Sequence, residues 1–234
     1  MKVDGLEGLA LLHLCDSLFP VGAFAYSDGL ESATASGQVV TAGDLRAWMA
    51  VCRDESIGRT EGPAVWQAWA AFRDADWGAL LALDEELTAL RPSASVRRSS
   101  RAMGLRLLTT WQSLYPDARM EQALALAHHA GRDRGFGPTL PVAFAGACAC
   151  ANVARGRAVE AFAYTRLAAT VSAAMRLIAI GQNEAHAILA RTLDAVPEMV
   201  HEIARRDAPI ESFAPAADIA AMTQQYVHSR LFRS

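Results

Sequence analysis

The chain is almost without lysine: Lys2 is the only one in 234 residues, and the other 21 basic side chains are arginine. A phosphate-cradling Gly-x-x-x-x-Gly-Lys-Ser/Thr loop is therefore missing, and nucleotide hydrolysis by this chain alone is not expected. The bland source of the bias is codon usage in a GC-rich genome. The functional alternative is that arginine forms more rigid interface ion pairs than lysine. Aromatic residues reach only 7%, and glycine and proline together number 25, which leaves little to build a β-sandwich from. Cysteine is scarce as well (Cys15, Cys52, Cys148 and Cys150), a usage that suits reduced thiols in the cytoplasm. No leader is legible, because Met1-Lys2-Val3-Asp4 runs into a short segment interrupted by Asp16. The longest uncharged stretch, Gly135 to Ala154, carries three glycines and two prolines among small alanines and reads as a buried helix, not a membrane span. A net charge of −3 exerts no general pull on nucleic acid or anionic lipid.

What is abundant is alanine, at 48 residues, within a chain that is 52% hydrophobic and 20% charged. That composition favours helices, and a chain of this length buries enough surface to fold without disulfide or metal. Thr41-x-x-Asp44 resembles a capping box and opens an amphipathic run through Leu45, Trp48, Met49 and Cys52. Gly62-Pro63 then starts another run, with Val65, Trp66, Trp69 and Phe72 spaced for one helix face. Further helices are expected over 76–90, 93–114, 117–129, 141–154 and 158–180, with a break at 131–137, a bend at Gly181 and a helix through Leu193. Pro197, Pro209 and Pro215 divide the remainder into short pieces. No repeat and no linker interrupts this pattern. The expectation is one all-α helical-bundle domain, residues 1–234, of about ten helices.

Searches for chemistry return little. Cys148 and Cys150 project about 200° apart on a helix and His128 and His129 about 100° apart, so neither pair has metal-ligand spacing. A weak site using His13 and Cys15 is the remaining metal alternative. Gly-x-Ser-x-Gly is absent, and Glu85-Glu86 belongs to a solvated helix face. The basic run Ser95-Val96-Arg97-Arg98-Ser99-Ser100-Arg101 reads either as arginines on an exposed helix or as a patch for an anion or an acidic partner. Neither a catalytic residue nor a resident cofactor or metal is assigned.

Two regions break the helical pattern. In residues 14–33, Pro20, Gly22 and Gly29 punctuate an apolar stretch with Phe19, Phe24 and Tyr26 that is costly to leave in water. It is read either as a loop tucked onto the core or as a segment that orders against a partner. The C-terminus, Gln224 to Ser234, combines Leu231-Phe232 with Arg230 and Arg233, the composition of an interface hot spot.

These segments carry a resemblance. The run Leu14-x-Asp16-Ser17-x-x-Pro20-x-Gly22-x-Phe24-x-x-Ser27-x-Gly29-Leu30-Glu31-x-Ala33 resembles the N-terminal signature of the urease accessory protein F family. Gly104-x-Arg106-Leu107-Leu108, Arg176-Leu177-Ile178-x-x-Gly181-Gln182 and the ending Ser229-Arg230-Leu231-Phe232-Arg233-Ser234 are similar to later blocks of that family. Ala179 departs from it, standing where proline is frequent, and puts the local bend in doubt. The resemblance implies an all-α homodimer that works as a non-catalytic cytoplasmic scaffold in nickel insertion into apo-urease. It would bridge the urease accessory protein D (H in some bacteria) and the GTP-binding accessory protein G, and influence the GTPase of the latter. The implied partner-binding regions are an N-terminal segment, about residues 1–30, and a tail, about 222–234. Their candidate contacts are Asp16, Ser17, Pro20, Gly22, Phe24, Tyr26, Ser27, Gly29 and Glu31, with Tyr226, Ser229, Arg230, Leu231, Phe232 and Arg233 in the tail. Phe24, Tyr26 and Phe232 would anchor, while Arg230 and Arg233 would meet carboxylates or carbonyls. For the G-type protein an exposed polar face is expected, with Arg97, Arg98 and Arg101 as candidates. The competing readings are a stand-alone all-α enzyme, marked by a buried pocket of convergent ionisable groups, and a direct nickel or zinc carrier.

Overall fold

In the computed structural model, which describes residues 6–22, 25–130, 137–207 and 209–233, three of the helices begin on a side-chain cap that the sequence offers. Thr41 Oγ1 accepts the Asp44 N–H and Asp44 answers to the Thr41 N–H, closing the capping box. Asp76 and Ser93 cap the two following long helices through the N–H groups of Ala79 and Val96. Among the described residues the chain forms α1 (Leu6–Cys15), α2 (Leu30–Ala35), α3 (Ala42–Val51), α4 (Gly62–Asp74), α5 (Trp77–Ala89), α6 (Ala94–Leu114), α7 (Ala118–Ala130), α8 (Leu140–Cys150), α9 (Arg155–Leu177), α10 (Gln182–Leu193), α11 (Val196–Arg206) and α12 (Pro215–Thr223). The protein is all-α, and the short α2 and α12 account for twelve helices where about ten are expected. The bend before α10 forms without proline: Ile178 is extended, and the chain re-enters a helix after Gly181. Phe24 and residues 131–136 of the expected break lie outside the described residues.

Gly62-Pro63 opens α4 as expected, but without a break from α3: the two helices are joined through ten residues of wide π-helical turns, Cys52–Glu61. Pro63 lies in the first turn of α4, where the change of hydrogen-bond register makes its missing N–H cheap. The loop beyond α11 clamps the wide turns, with Thr60 Oγ1 donating to the Glu211 carbonyl (2.5 Å) and the Glu211 N–H to the Arg59 carbonyl (2.9 Å).

The centre is α8, every residue of which is buried, packed against α4, α6 and α9. Gly146 lets α4 come close, since a Cβ there would stand 2.5 Å from the Phe72 ring. The N-terminus of α8 is capped from outside its own chain segment, the Thr139 N–H bonding Asp84 Oδ1 (2.8 Å) and the Leu140 N–H bonding Ser100 Oγ (3.1 Å). Burial pushes the Asp84 carboxyl up to about 6, although the Thr139 amide favours its charged form.

A carboxyl raised in the folded state stabilises most below its ordinary value near 3.8, and that contribution is lost as pH rises through about 6. Asp84→Asn keeps the acceptor and removes the titration. In thermal melts from pH 4 to 7, the melting temperature of the variant relative to wild type rises with pH; a constant difference contradicts this assignment.

Candidate functional site

The two segments singled out in sequence meet on one side of the molecule. The N-terminal one turns sharply after α1, where Asp16 Oδ1 accepts the Leu18 N–H (2.7 Å). Leu14 and Phe19 point inward, Phe19 standing edge-on to His13 (5.2 Å between ring centres) and near Trp111 (6.4 Å). Asp16, Ser17 and Pro20 stay exposed, and Leu18 is 87% exposed.

Beyond this turn the chain becomes the seat of α12. Gly29 has φ +92°, and a Cβ there would lie 2.7 Å from the Ala221 nitrogen and 3.0 Å from the Ala220 carbonyl carbon. Only glycine permits both this backbone and this approach. Gln224 then bridges the two termini. Its Oε1 accepts from the Gly29 N–H (2.9 Å) and Ser27 Oγ (3.2 Å), and its Nε2 donates to the Arg233 carbonyl (3.3 Å). Ser32 and Thr223 join hydroxyl to hydroxyl at 2.8 Å.

The last residues continue as a strap across the signature. The Arg233 N–H donates to the Ala25 carbonyl (2.7 Å) and the Leu231 N–H to Glu31 Oε1 (2.5 Å). Between them Phe232 is only 4% exposed and lies under the Arg176 guanidinium, 4.1 Å from ring centre to carbon. Glu31 Oε2 is buried without a partner, so the clamp makes fewer bonds than its acceptors allow. Tyr226 (78% exposed), Leu231 (68%), Ser229, Arg230 and Arg233 face outward.

Beneath α12 lies a part-buried ion network, of which Glu61 is the fully buried member. Arg166, on α9, reaches Asp28 Oδ2 (2.5 Å) and Glu61 Oε2 (3.2 Å), and Glu61 Oε1 pairs with Arg91. Burial opposes the charge on Arg166, but the two carboxylates outweigh it and hold the guanidinium above its ordinary value. Burial likewise raises Asp28, and Arg166 more than reverses it, leaving the carboxyl below its ordinary value. Both groups are ionised throughout the physiological range and have no proton to trade. The cavity beside them measures about 90 Å³, room for a few waters. Ionisable residues thus converge here, with Arg166 and Asp28 holding each other in their charged forms.

The structure therefore splits the candidate residues. Ser27, Gly29 and Glu31 are buried and engage the strap, as does Phe232 from the tail. Phe232 is thus an internal anchor in this chain, although its sequence context suggests an external one. Gln224, which ties the termini together, is invisible to motif reading because its partners lie 195 and 197 residues away. Of the basic run, Arg97 is spent on the Arg91 and Pro92 carbonyls (2.6 and 2.9 Å), whereas Arg98 and Arg101 are exposed. Burial pushes the Cys15 thiol up to about 11, which keeps it protonated beside His13, and His13 Nδ1 is itself bonded to the Tyr115 hydroxyl (2.8 Å). Among the described residues no three His, Cys, Asp or Glu side chains are grouped to hold a metal ion, and no helix is long and apolar enough to cross a membrane.

Comparison with known proteins agrees with the sequence blocks. The family model described as UreF matches residues 39–193. The chain is 32% identical to a urease accessory protein UreF of Delftia acidovorans, covering 98% of both chains. It is also 32% identical to the urease accessory proteins UreF of Azoarcus sp. and Methylibium petroleiphilum, over 97% of this chain and 95% and 93% of theirs.

If Gly29 is what seats α12, Gly29→Ala loosens the strap. A methyl at a left-handed, crowded position costs about 1–3 kcal/mol, or roughly tenfold or more in local opening. Trypsin cleavage after Arg230, followed by mass spectrometry, should accelerate by that factor while helical content is kept. Unchanged cleavage contradicts the seating role.

Proposed function

Because this chain belongs to the UreF family of urease accessory proteins, we propose that it is a dimeric scaffold for urease maturation, placing the D-type (H-type) and GTP-binding G-type accessory proteins together for nickel insertion into apo-urease. The family is one of accessory proteins, not enzymes, and the role in urease maturation follows from membership. The finer assignments rest on surface chemistry. The observation that carries them is the docking of the tail on the signature, which makes two distant segments one continuous surface with Tyr226, Leu231, Arg230 and Arg233 facing outward. Exposed aromatic, aliphatic and guanidinium groups side by side are what an interface core uses. We assign this surface to the D-type partner. The phosphate-binding loop absent here belongs to the G-type partner, whose GTPase the scaffold modulates from the cytoplasm.

The second copy is placed on α9. Tyr164, Ala168 and Ser172 form a half-exposed stripe of mostly small residues, and cavities of about 450 and 420 Å³ open on either side of it toward α1 and α10. Small residues allow close helix approach, and the cavities offer places for a partner's side chains.

Two outcomes test these assignments. Deleting residues 229–234 abolishes capture of the D-type protein in co-purification while the helical fold and the dimer persist; a truncated chain that still co-elutes with it refutes the tail assignment. Ala168→Arg converts the dimer to a monomer in sedimentation velocity at unchanged helical content, and a variant that remains dimeric moves the interface elsewhere.

A further inference from the structure

Helix α1 carries apolar residues on both of its faces, with only Glu7 and His13 interrupting them. Ala10 and Leu14 are buried toward the core, yet Leu9 and Leu12, on the other side of the helix, are 66% and 69% exposed. A helix that is apolar all round is ordinarily covered all round. Gly8 adjoins this leucine pair, and a Cβ built on it would meet nothing within 4 Å. No neighbour among the described residues therefore accounts for a glycine that weakens the helix, whereas close approach by an outside element would.

The surface that matches this face lies across α9. α1 packs along one flank of α9, and the other flank forms a groove of about 420 Å³ with α10. Tyr164, Ala168 and Ser172 line both that groove and the cavity beside α1, so they form one ridge with α1 and α10 on its opposite sides. Val171, Met175 and Leu189 give the groove its apolar lining, and no Asp, Glu, Lys or Arg lines it to be stripped of water. The ridge alone is too small an interface, because a stable complex takes about 20–30 residues and ~800 Å² from each partner. Its flanks must be covered as well. A two-fold axis running along α9 does this, since rotation about it sets α1 of each copy against the α10 flank of the other.

We propose that Leu9 and Leu12 of one copy of this chain fill the α9–α10 groove of a second copy, reciprocally, with Gly8 at the closest approach. This rests on the dimer placed on α9 and deepens it: the ridge supplies the axis, and α1 supplies the contacts that fix the pairing.

The test is heterodimer rescue, read by sedimentation velocity of the full chain. The double variants Leu9→Glu/Leu12→Glu and His186→Arg/Ala190→Arg each raise the dimer dissociation constant at least about tenfold, since charges replace an apolar contact between copies. Mixed in equal amounts, the two variants pair again. Carboxylates on α1 of one chain then meet guanidinium groups in the groove of the other, while the second contact is wild type. All four substituted side chains are exposed in the single chain, so circular dichroism stays that of the wild type. Ile219→Glu, on an apolar side chain of α12 that is 58% exposed, leaves the dimer unchanged. Double variants that stay dimeric while Ala168→Arg is monomeric overturn the α1 contact and leave the α9 dimer standing. Loss in both without rescue in the mixture overturns the pairing of α1 with the α10 flank, as does an equal loss from Ile219→Glu. A wild-type chain that is monomeric at every concentration removes the dimer reading and this contact with it.

Discussion

One part-buried guanidinium holds together parts of the chain that sequence alone keeps far apart. Arg166 projects from the central part of α9 and pairs with Asp28 in the signature and Glu61 at the end of the wide turns; through Glu61 it engages Arg91, just before α6. Stripping such a network of one partner leaves a charge without its counterpart, at a cost that solvent screening keeps below the ~3–5 kcal/mol of a fully buried pair. Asp28 sits in a left-handed backbone conformation (φ +48°), which the ion pair with Arg166 helps to hold. Once Asp28 is fixed, Gly29 is aimed at α12, and Ala217, Asp218 and Ala221 of that helix close the rim of the cavity beside the network. The position of the strap is thus inherited from an ion pair beneath α12.

This arrangement changes what the signature does. Ser27, Gly29 and Glu31 act inside the protein, seating the tail, and the tail then carries the exposed groups. The protein can offer a surface assembled from residues near both ends without any long ordered arm, because the entropy of ordering some ten strap residues is offset internally by Phe232 burial, the Gln224 bridge and the Glu31 contact. The second oxygen of Glu31, left without a partner, marks the place where the strap is held least completely.

Much of the fold was legible because it rests on local chemistry. The Thr41–Asp44 box, the Asp76 and Ser93 caps and the alanine-rich composition all act within a few residues, and helix class and most boundaries follow from them. The continuous rod from α3 to α4 was not legible, since Gly62-Pro63 is a start signal in an isolated α-helix and only a register change inside wide turns. The signature and tail were legible as unusual, through glycines, aromatics and arginines out of helical pattern. Their mutual contact was not, because Gln224, Glu31 and Phe232 take their roles from partners about 200 residues away or on α9, and no spacing rule reaches that far. That Phe232 is buried within this chain was not legible for the same reason: burial is a property of the neighbour, not of the residue.

The account stands on the signature and the tail being a single partner-facing unit. Hydrogen–deuterium exchange of the full chain, alone and bound to the D-type accessory protein, addresses this most directly. The predicted result is that residues 25–32 and 223–233 gain protection together on binding, with Leu231 and Arg233 amides among the slowest, while α10 and α11 are unchanged. Protection confined to one of the two segments, or gained only at α10 and α11, contradicts it.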